Sequence, residues 1–464
     1  MIKRSILIAV ACLVGLTARG AADTYVGGVI TTDTTWTAGN SPYIASASVL
    51  VANNATLIIE PGVEVRFAPK TALSVTSGQL LARGTETDRI RFTAHVSDKV
   101  TADDRWGYVG FFDSSVDATF DESGDYVDGS IIEYCAVEYA GGTDFRGAIH
   151  LDRASPYISN SVIRNNGMGG LYADKADGLR IEDSVIASNE NLEYGTMVGY
   201  GGGIQLYSSD NVQLSRTEVS SNSSRWAGGG LFLHQSHDAE LHEVTVSSND
   251  TGREGGGGML LWESDNIKVS SSSFHGNTAE DQGGGICVTG GASGSTSDGS
   301  VLSEDLNNPT GIFDNSLPQL YVGNVFRASA EIGGPGNVDA RNVWWGTKDG
   351  ATIQEEIYDF FDDASKALVF HEPWTVPGDG DANLDGLVED NDLSLVLSNW
   401  TGPLGDGKTW VQGDFDGTGS VSDADLSLLL ANWTGSADSA AIPEPATPGM
   451  VVLAGIALLR RRGR

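Results

Sequence analysis

Glycine clusters recur along this chain, and each opens a short apolar strand. They read Gly201-Gly-Gly-Ile-Gln-Leu, Gly228-Gly-Gly-Leu-Phe-Leu, Gly255-Gly-Gly-Gly-Met-Leu-Leu and Gly283-Gly-Gly-Ile-Cys-Val, with weaker copies at Gly147-Ala-Ile-His-Leu and Gly169-Gly-Leu-Tyr-Ala. The strand residues Leu171, Ile204, Leu231, Met259 and Ile286 lie 33, 27, 28 and 27 residues apart. Self-similarity at a period of this size marks a solenoid, because one such unit cannot bury its apolar face alone. Within each copy apolar residues alternate with polar or aromatic ones, as in Ile204/Leu206 and Leu231/Leu233, which is the period of a strand. A second strand column follows in register: Asp177-Gly-Leu-Arg-Ile, Asp210-Asn-Val-Gln-Leu and Asp265-Asn-Ile-Lys-Val. A third places Ile163, Ile186, Val219, Val246 and Phe274 three residues before Asn166, Asn189, Asn222, Asn249 and Asn277. Stacked turns of this kind predict an all-β fold, a right-handed parallel β-helix solenoid with rungs about 4.8 Å apart. The asparagines are expected to form an internal ladder, bonding to turn backbone and to one another, rather than a catalytic or sugar-contact column.

Charge narrows the function. Lys plus Arg number 28 against 62 Asp plus Glu, a net charge of -34. That argues against nucleic acid, whose binding rests on neutralising phosphates, and disfavours anionic polysaccharides unless metal ions bridge them. Of three cysteines, Cys12 lies near the start, and Cys135 and Cys287 sit in different repeats, so no disulfide framework is implied.

At the start, Lys3 and Arg4 precede an apolar run, Ile6 to Leu16, and then small residues from Ala18 to Ala22. This pattern predicts a secretory signal over residues 1–22, cut after Ala22. From 23 to about 140 the alternation is less regular, in Thr56-Leu-Ile-Ile-Glu, Val63-Glu-Val-Arg-Phe and Ile90-Arg-Phe, with turns at Pro61-Gly62, Ala68-Pro69 and Arg83-Gly84. The segment Asp113 to Asp128 is expected to be a loop off the stack, and Thr289 to Pro318 another excursion. The stack then resumes at Tyr321-Val-Gly-Asn-Val-Phe. It closes with Arg341-Asn-Val-Trp-Trp-Gly, a helix-like piece from Thr352 to Phe361, and Leu368-Val-Phe-His-Glu-Pro-Trp. The first coils, with Trp36 and Ser41-Pro-Tyr, and this ending resemble secreted β-helix proteins of the pectate-lyase-like superfamily. The likeness spans residues 25 to 375 and concerns fold, not activity. The β-helix domain is therefore expected over residues 23–376.

A composition shift at Val376-Pro-Gly opens a module over residues 377–435. Asp381-Ala-Asn-Leu-Asp-Gly-Leu-Val-Glu-Asp-Asn-Asp and Asp414-Phe-Asp-Gly-Thr-Gly-Ser-Val-Ser-Asp-Ala-Asp stand 33 residues apart, each followed by an apolar helical run. Calcium loops need oxygens at positions 1, 3, 5, 7 and 12 with glycine at 6. The first copy offers Asp381, Asn383, Asp385, the Leu387 carbonyl and Asp392, with Gly386 at the bend. The second offers Asp414, Asp416, Thr418, the Ser420 carbonyl and Asp425, with Gly419. Thr418 replaces the usual Asp or Asn, so the second Ca2+ site is expected to be weaker. Asp at position 12, with a helix after the loop and none before, resembles a type I dockerin repeat, a small α-helical EF-hand pair. That resemblance implies a cohesin-like partner read through Asp390-Asn391 and Asp423-Ala424. Another surface protein is the alternative, because the acidic pair departs from the family's usual residues. The tail, residues 436–464, holds Ile442-Pro-Glu-Pro, an apolar run from Met450 to Leu459, and Arg460-Arg-Arg-Gly-Arg. It resembles the PEP-CTERM sorting signal, which implies recognition by an exosortase and export through a Gram-negative-type envelope. The apolar run is shorter than the roughly 20 residues of a stable transmembrane helix, as suits a transient anchor at the cell surface.

On the stack, residues flanking the inward pairs form two exterior columns: His150, Tyr172, Gln205, Phe232, Leu260, Cys287, and Asp152, Asp174, Tyr207, His234, Trp262, Thr289. Tyr172, Tyr207, Phe232, His234 and Trp262 are the expected carbohydrate contacts, since sugar C–H faces pack on π-systems. The alternative is a ladder of rings stacked on one another. The insertion Glu190 to Tyr200, with Tyr194 and Tyr200, is expected to form a lip. The charged cluster Asp144, Arg146, Asp152, Arg153 and Asp174 has the residue types for a lyase or hydrolase. No polygalacturonase or pectate-lyase motif accompanies it, so no catalytic residue is assigned. Three functions follow: a polysaccharide- or partner-binding surface protein, a secreted polysaccharide lyase or hydrolase, and a structural spacer.

Overall fold

A computed structural model describes residues 23–434, apart from 97–99, 144–146, 192–198, 254, 281–282, 290–299, 302–310, 314, 316–319, 323–337, 342, 346–349, 360, 363–368, 373, 375–376, 384–386, 404 and 406. The expected secretory signal and C-terminal sorting segment lie outside the described residues. The chain divides into two compact units between residues 376 and 377.

The first unit is a stack of parallel strands. Ile149–Asp152, Leu171–Asp174, Ile204–Tyr207, Leu231–His234, Met259–Trp262 and Ile286–Thr289 each pair with the copy one rung on, without a register shift. Tyr157–Ser159, Arg180–Glu182, Gln213–Ser215, Glu240–His242 and Lys268–Ser270 form a second column. Val162–Arg164, Val185–Ala187, Glu218–Ser220, Thr245–Ser247 and Ser273–His275 form the third. The inward residues of all three meet in one core that runs from Trp36 to Val369. Parallel pairing of this kind needs a crossover between strands, and here the other two columns supply it.

The glycines have a steric cause. A short fourth ladder, Ser223–Ser224 to Asp250–Thr251 and onward, runs directly beside them. A Cβ at Gly229 would stand 2.5 Å from the Gly257 carbonyl oxygen and 2.6 Å from that of Asp250. The asparagine ladder is present and longer than the sequence suggested, reaching Asn315. The Asn222 side-chain amide donates to Asn249 Oδ1 (3.0 Å) and to the Ile186 carbonyl (2.8 Å), and Asn222 Oδ1 accepts the Asn189 side-chain amide and main-chain N–H. The same bonds recur at Asn277 and Asn315.

Three expectations are corrected. Ser300–Val301 and Gly311–Phe313 pair with Lys268 and with Ser273–His275, so the stack continues through the stretch expected as an excursion. The rung is longer there and its composition hides it. The segment Asp113 to Asp128 is not a free loop. Val109–Ser115 is a rung strand, and Thr119–Phe120 with Tyr126–Asp128 form an antiparallel hairpin. Its Tyr126 stacks on Tyr157 at 5.9 Å, and the Arg180 guanidinium lies 3.9 Å over the Phe120 ring. Burial, then the Glu182 charge, push the Tyr157 hydroxyl up to about 12. Lastly, the helical piece is only Gly350–Glu355, followed by a strand, Ile357–Tyr358, that rejoins the stack.

On the third column Glu138 is buried and bonds Arg91 (2.9 Å) and Arg164 (2.6 Å). Burial pushes this carboxyl up, but hydrogen bonds from the two guanidiniums outweigh it and hold the group below the usual carboxylate range. A depressed carboxylate stabilises the fold above its unfolded value, and that stability is lost as pH falls through the folded value. Glu138→Gln is expected to cost about 1–3 kcal/mol at neutral pH, discounted because both arginines are half exposed. The difference in urea midpoint should shrink as the carboxylate range is crossed downward.

Candidate functional site

Asp152, Asp174, Tyr207, His234, Trp262 and Thr289 occupy one register position on successive rungs, and all are half-buried. The rings of this column and of its neighbour's first two members form a line. His150 stacks on Tyr172 at 5.2 Å, Tyr172 meets Tyr207 at 5.9 Å, Tyr207 meets His234 at 5.0 Å and His234 meets Trp262 at 5.2 Å. The other column is not an open face: His150, Gln205, Phe232, Leu260 and Cys287 are buried, and only Tyr172 is half-buried. Phe232, expected as a sugar contact, is 0% exposed. Strand alternation turns it away from the β-helix core, but Tyr200, at the end of the long insertion, stacks on it at 4.7 Å. Ala227, Leu260 and Cys287 complete this second apolar cluster, so Phe232 is the floor under the line and not its surface. Tyr194 lies outside the described residues. The ring ladder and the open face, posed as alternatives, coexist: the rings touch one another and keep part of each side chain in solvent.

Burial lowers the His234 imidazole below its ordinary value, with the Glu263 charge opposing, so the ring stays neutral near pH 7. Its Nε2 is 4.0 Å from Glu263 Oε2, which also accepts the Gln235 amide at 2.8 Å. His234 Nδ1 and Trp262 Nε1 are buried without a hydrogen-bond partner. Of the charged cluster on the earlier rungs, Asp144 and Arg146 lie outside the described residues. Arg153 pairs with Asp113 and Asp152, each at 3.2 Å.

In the second unit, helices Asp390–Ser398 and Asp423–Ala431 follow the two acidic loops. The last ligand position bonds alike in both loops. Asp425 Oδ1 accepts the N–H of Phe415 (2.8 Å) and Asp416 (3.2 Å), and its Oδ2 that of Ser422 (2.9 Å). Asp392 does the same for Ala382 (2.8 Å), Asn383 (3.1 Å) and Glu389 (2.9 Å). Cross-bracing joins the halves: Val388 exchanges hydrogen bonds with Thr434, and Val421 with Thr401. Gly413, at φ +99°, lets the second loop lie on the first helix, since a Cβ there would meet Val396 Cα at 3.0 Å.

Oxygens of Asp414, Asp416 and Asp425 converge within 4.8 Å. Asp414 and Asp425 are buried. Burial pushes the Asp414 carboxyl up, N–H groups of Gly419 and Thr418 oppose, and Asp416 and Asp425 add to the rise. Thr418 Oγ1 and Ser420 Oγ lie 3.0 Å apart beside them. Converging hard oxygens with mutually repelling charges fit Ca2+, which takes six to eight such ligands. When bound, the ion would neutralise that repulsion; Asp414, Asp416 and Asp425 would hold it, with Thr418 and the Ser420 carbonyl. In the first loop Asp381 and Asp392 are buried, Asn383 is exposed and Leu387 is half-buried. Asp385 lies outside the described residues.

Residues 119–274, and again 202–326, match the family described as the right handed beta helix region, and that part of the chain is a right-handed β-helix. No curated protein matches the sequence. Among solved structures the chain is similar to the A-module of the Azotobacter vinelandii mannuronan C-5 epimerase AlgE4, at 14% identity over 70% of this chain and 80% of that one, with a TM-score of 0.35. It is also similar to a double mutant of the periplasmic alginate epimerase AlgG, at 10% identity over 72% and 77%, TM-score 0.32. A mannuronic acid specific polysaccharide family 6 lyase from human gut microbiota follows at 8% identity over 76% and 84%, TM-score 0.24.

Proposed function

We propose that this protein is an exported surface β-helix that binds a polysaccharide along its glycine-led face, with a calcium-dependent dockerin-like module for attachment. The observation that carries the reading is the line Tyr172, Tyr207, His234 and Trp262, one ring on each of four consecutive rungs. Rungs about 4.8 Å apart nearly match the advance of one residue in an extended glycan, so a chain lying along the stack meets a ring at each sugar. Half-buried rings present fixed π faces to sugar C–H groups at little entropic cost. Affinity electrophoresis through gels cast with a panel of glycans tests this. At least one glycan should retard the mature protein, and Trp262→Ala should lose the retardation with an unchanged far-UV circular dichroism spectrum. No retardation by any glycan would sink the reading.

A second reading, a polysaccharide lyase or hydrolase, is favoured by His234: a neutral imidazole beside Tyr207 and Glu263 has the form of a general base. Unsaturated or reducing-end products from the same panel would select it. A purely structural spacer is left if neither binding nor products appear.

The module is taken to dock a cohesin-like or other surface protein. The C-terminal ends of its duplicated helices carry Leu397 and Leu430, 57% and 56% exposed, with Trp400 and Trp433 just past each helix at 39% each, while Asp390-Asn391 and Asp423-Ala424 open the same helices. Apolar side chains left open in both copies suit partner docking more than a self-contained fold. The sorting tail would be handled by an exosortase. No helix among the described residues is long and apolar enough to cross a membrane.

A further inference from the structure

We infer that the glycan taken by this face is uncharged and that polyuronates are turned away, an inference that rests on the glycan-binding reading above. The line of rings is bordered by carboxylates. Asp174 stands between Asp152 and Tyr207 in register, half-buried and without an ion-pair partner among the described residues. Glu263 follows Trp262, is 8% exposed and is held by Gln235. Asp113 and Asp152 share the Arg153 guanidinium between them. Among the described residues, the cations nearby are committed or few. Arg153 is spent on those two carboxylates, Arg253 lies over the Trp226 ring at 4.6 Å, and Lys175 is the exposed ammonium left beside Asp174.

A polyuronate carries one carboxylate on every sugar. Laid one residue per rung, it would set a negative charge beside Asp152 and Asp174, which are half-buried, and Glu263, which is buried, on a chain of net charge -34. Like charges a few ångströms apart at low dielectric repel strongly. A neutral glycan offers the same C–H faces without that cost, and its hydroxyls can donate to Asp174, which a carboxylate of the ligand cannot. A bridging cation would relieve that repulsion. Among the described residues, three acidic groups converge closely enough to hold a cation only at Asp414, Asp416 and Asp425, and no such group includes Asp152, Asp174 or Glu263.

Isothermal titration of the mature protein separates the outcomes. The ligands are soluble neutral oligosaccharides (gluco-, xylo- and manno-) and oligogalacturonate and oligomannuronate, each with chelator and with calcium. A neutral oligosaccharide should bind at least tenfold more tightly than either uronate under both conditions. Asp174→Lys should narrow that gap at least threefold. A uronate that binds as well as the best neutral ligand, with or without calcium, overturns the inference and leaves the glycan-binding reading standing. An unchanged gap in Asp174→Lys also overturns it. No binding by any oligosaccharide removes both.

Discussion

Asn222→Leu should destabilise the β-helix by about 3–5 kcal/mol, the loss seen when a buried polar network is broken from inside. The substitution removes the partner of the Asn189 main-chain N–H and of one of the two Asn189 side-chain N–H groups, and a donor to the Ile186 carbonyl, all buried among packed rungs. An alkyl side chain cannot replace an amide that both donates twice and accepts twice. The contrast is Glu240→Gln on the second column, an exposed position whose charge pairs with Lys268 at 3.6 Å; it should change stability by about 0.5 kcal/mol or less. Urea unfolding followed by tryptophan fluorescence measures both. A loss below about 1 kcal/mol for Asn222→Leu would mean that the rungs hold together without the ladder.

Calcium should bind the mature protein at two sites, and Asp425→Ala should abolish one of them, weakening it roughly 100-fold or more. Asp425 anchors three N–H groups of its own loop and belongs to the converging carboxylates, so its loss removes a ligand and the loop's shape together. Metal that binds only the folded state adds about 2.7 kcal/mol at a hundredfold excess over the dissociation constant. Thermal unfolding with calcium and with chelator reads that gain directly. Titration calorimetry showing no heat in the wild type, or two intact sites in Asp425→Ala, would remove the calcium account.

Much of the β-helix is legible in the sequence because its constraints repeat. A glycine beside a carbonyl one rung away, or an asparagine bonded to its copies, must recur in every coil, and recurrence is what the eye finds. The failures have the same cause. His237 stands where Asp177, Asp210 and Asp265 stand, so the strand Glu240–His242 breaks the written pattern; yet its N–H still donates to Asp210 Oδ1 and its Nδ1 accepts the Asp265 N–H, so the geometry is kept. Asn315 was hidden because 38 residues separate it from Asn277, in a stretch read as an excursion. Burial of Phe232 was not legible either. Alternation says which side of a strand a residue takes, but not that Tyr200, brought over by an insertion, will cover it. In the second unit the spacing of oxygens predicted the loop members, and Asp414, Asp416 and Asp425 do converge. The bracing of each loop on the opposite half, Val388 to Thr434 and Val421 to Thr401, had no local signal.

The claim that rungs supply a ring for each sugar is most directly tested by ligand length. Titration of the mature protein with one neutral oligosaccharide series, from disaccharide to hexasaccharide, should show affinity rising with each residue up to about four, the number of rungs from Tyr172 to Trp262, and then levelling. Affinity that is already complete at the disaccharide, or that does not depend on length at all, would contradict a glycan lying along the stack.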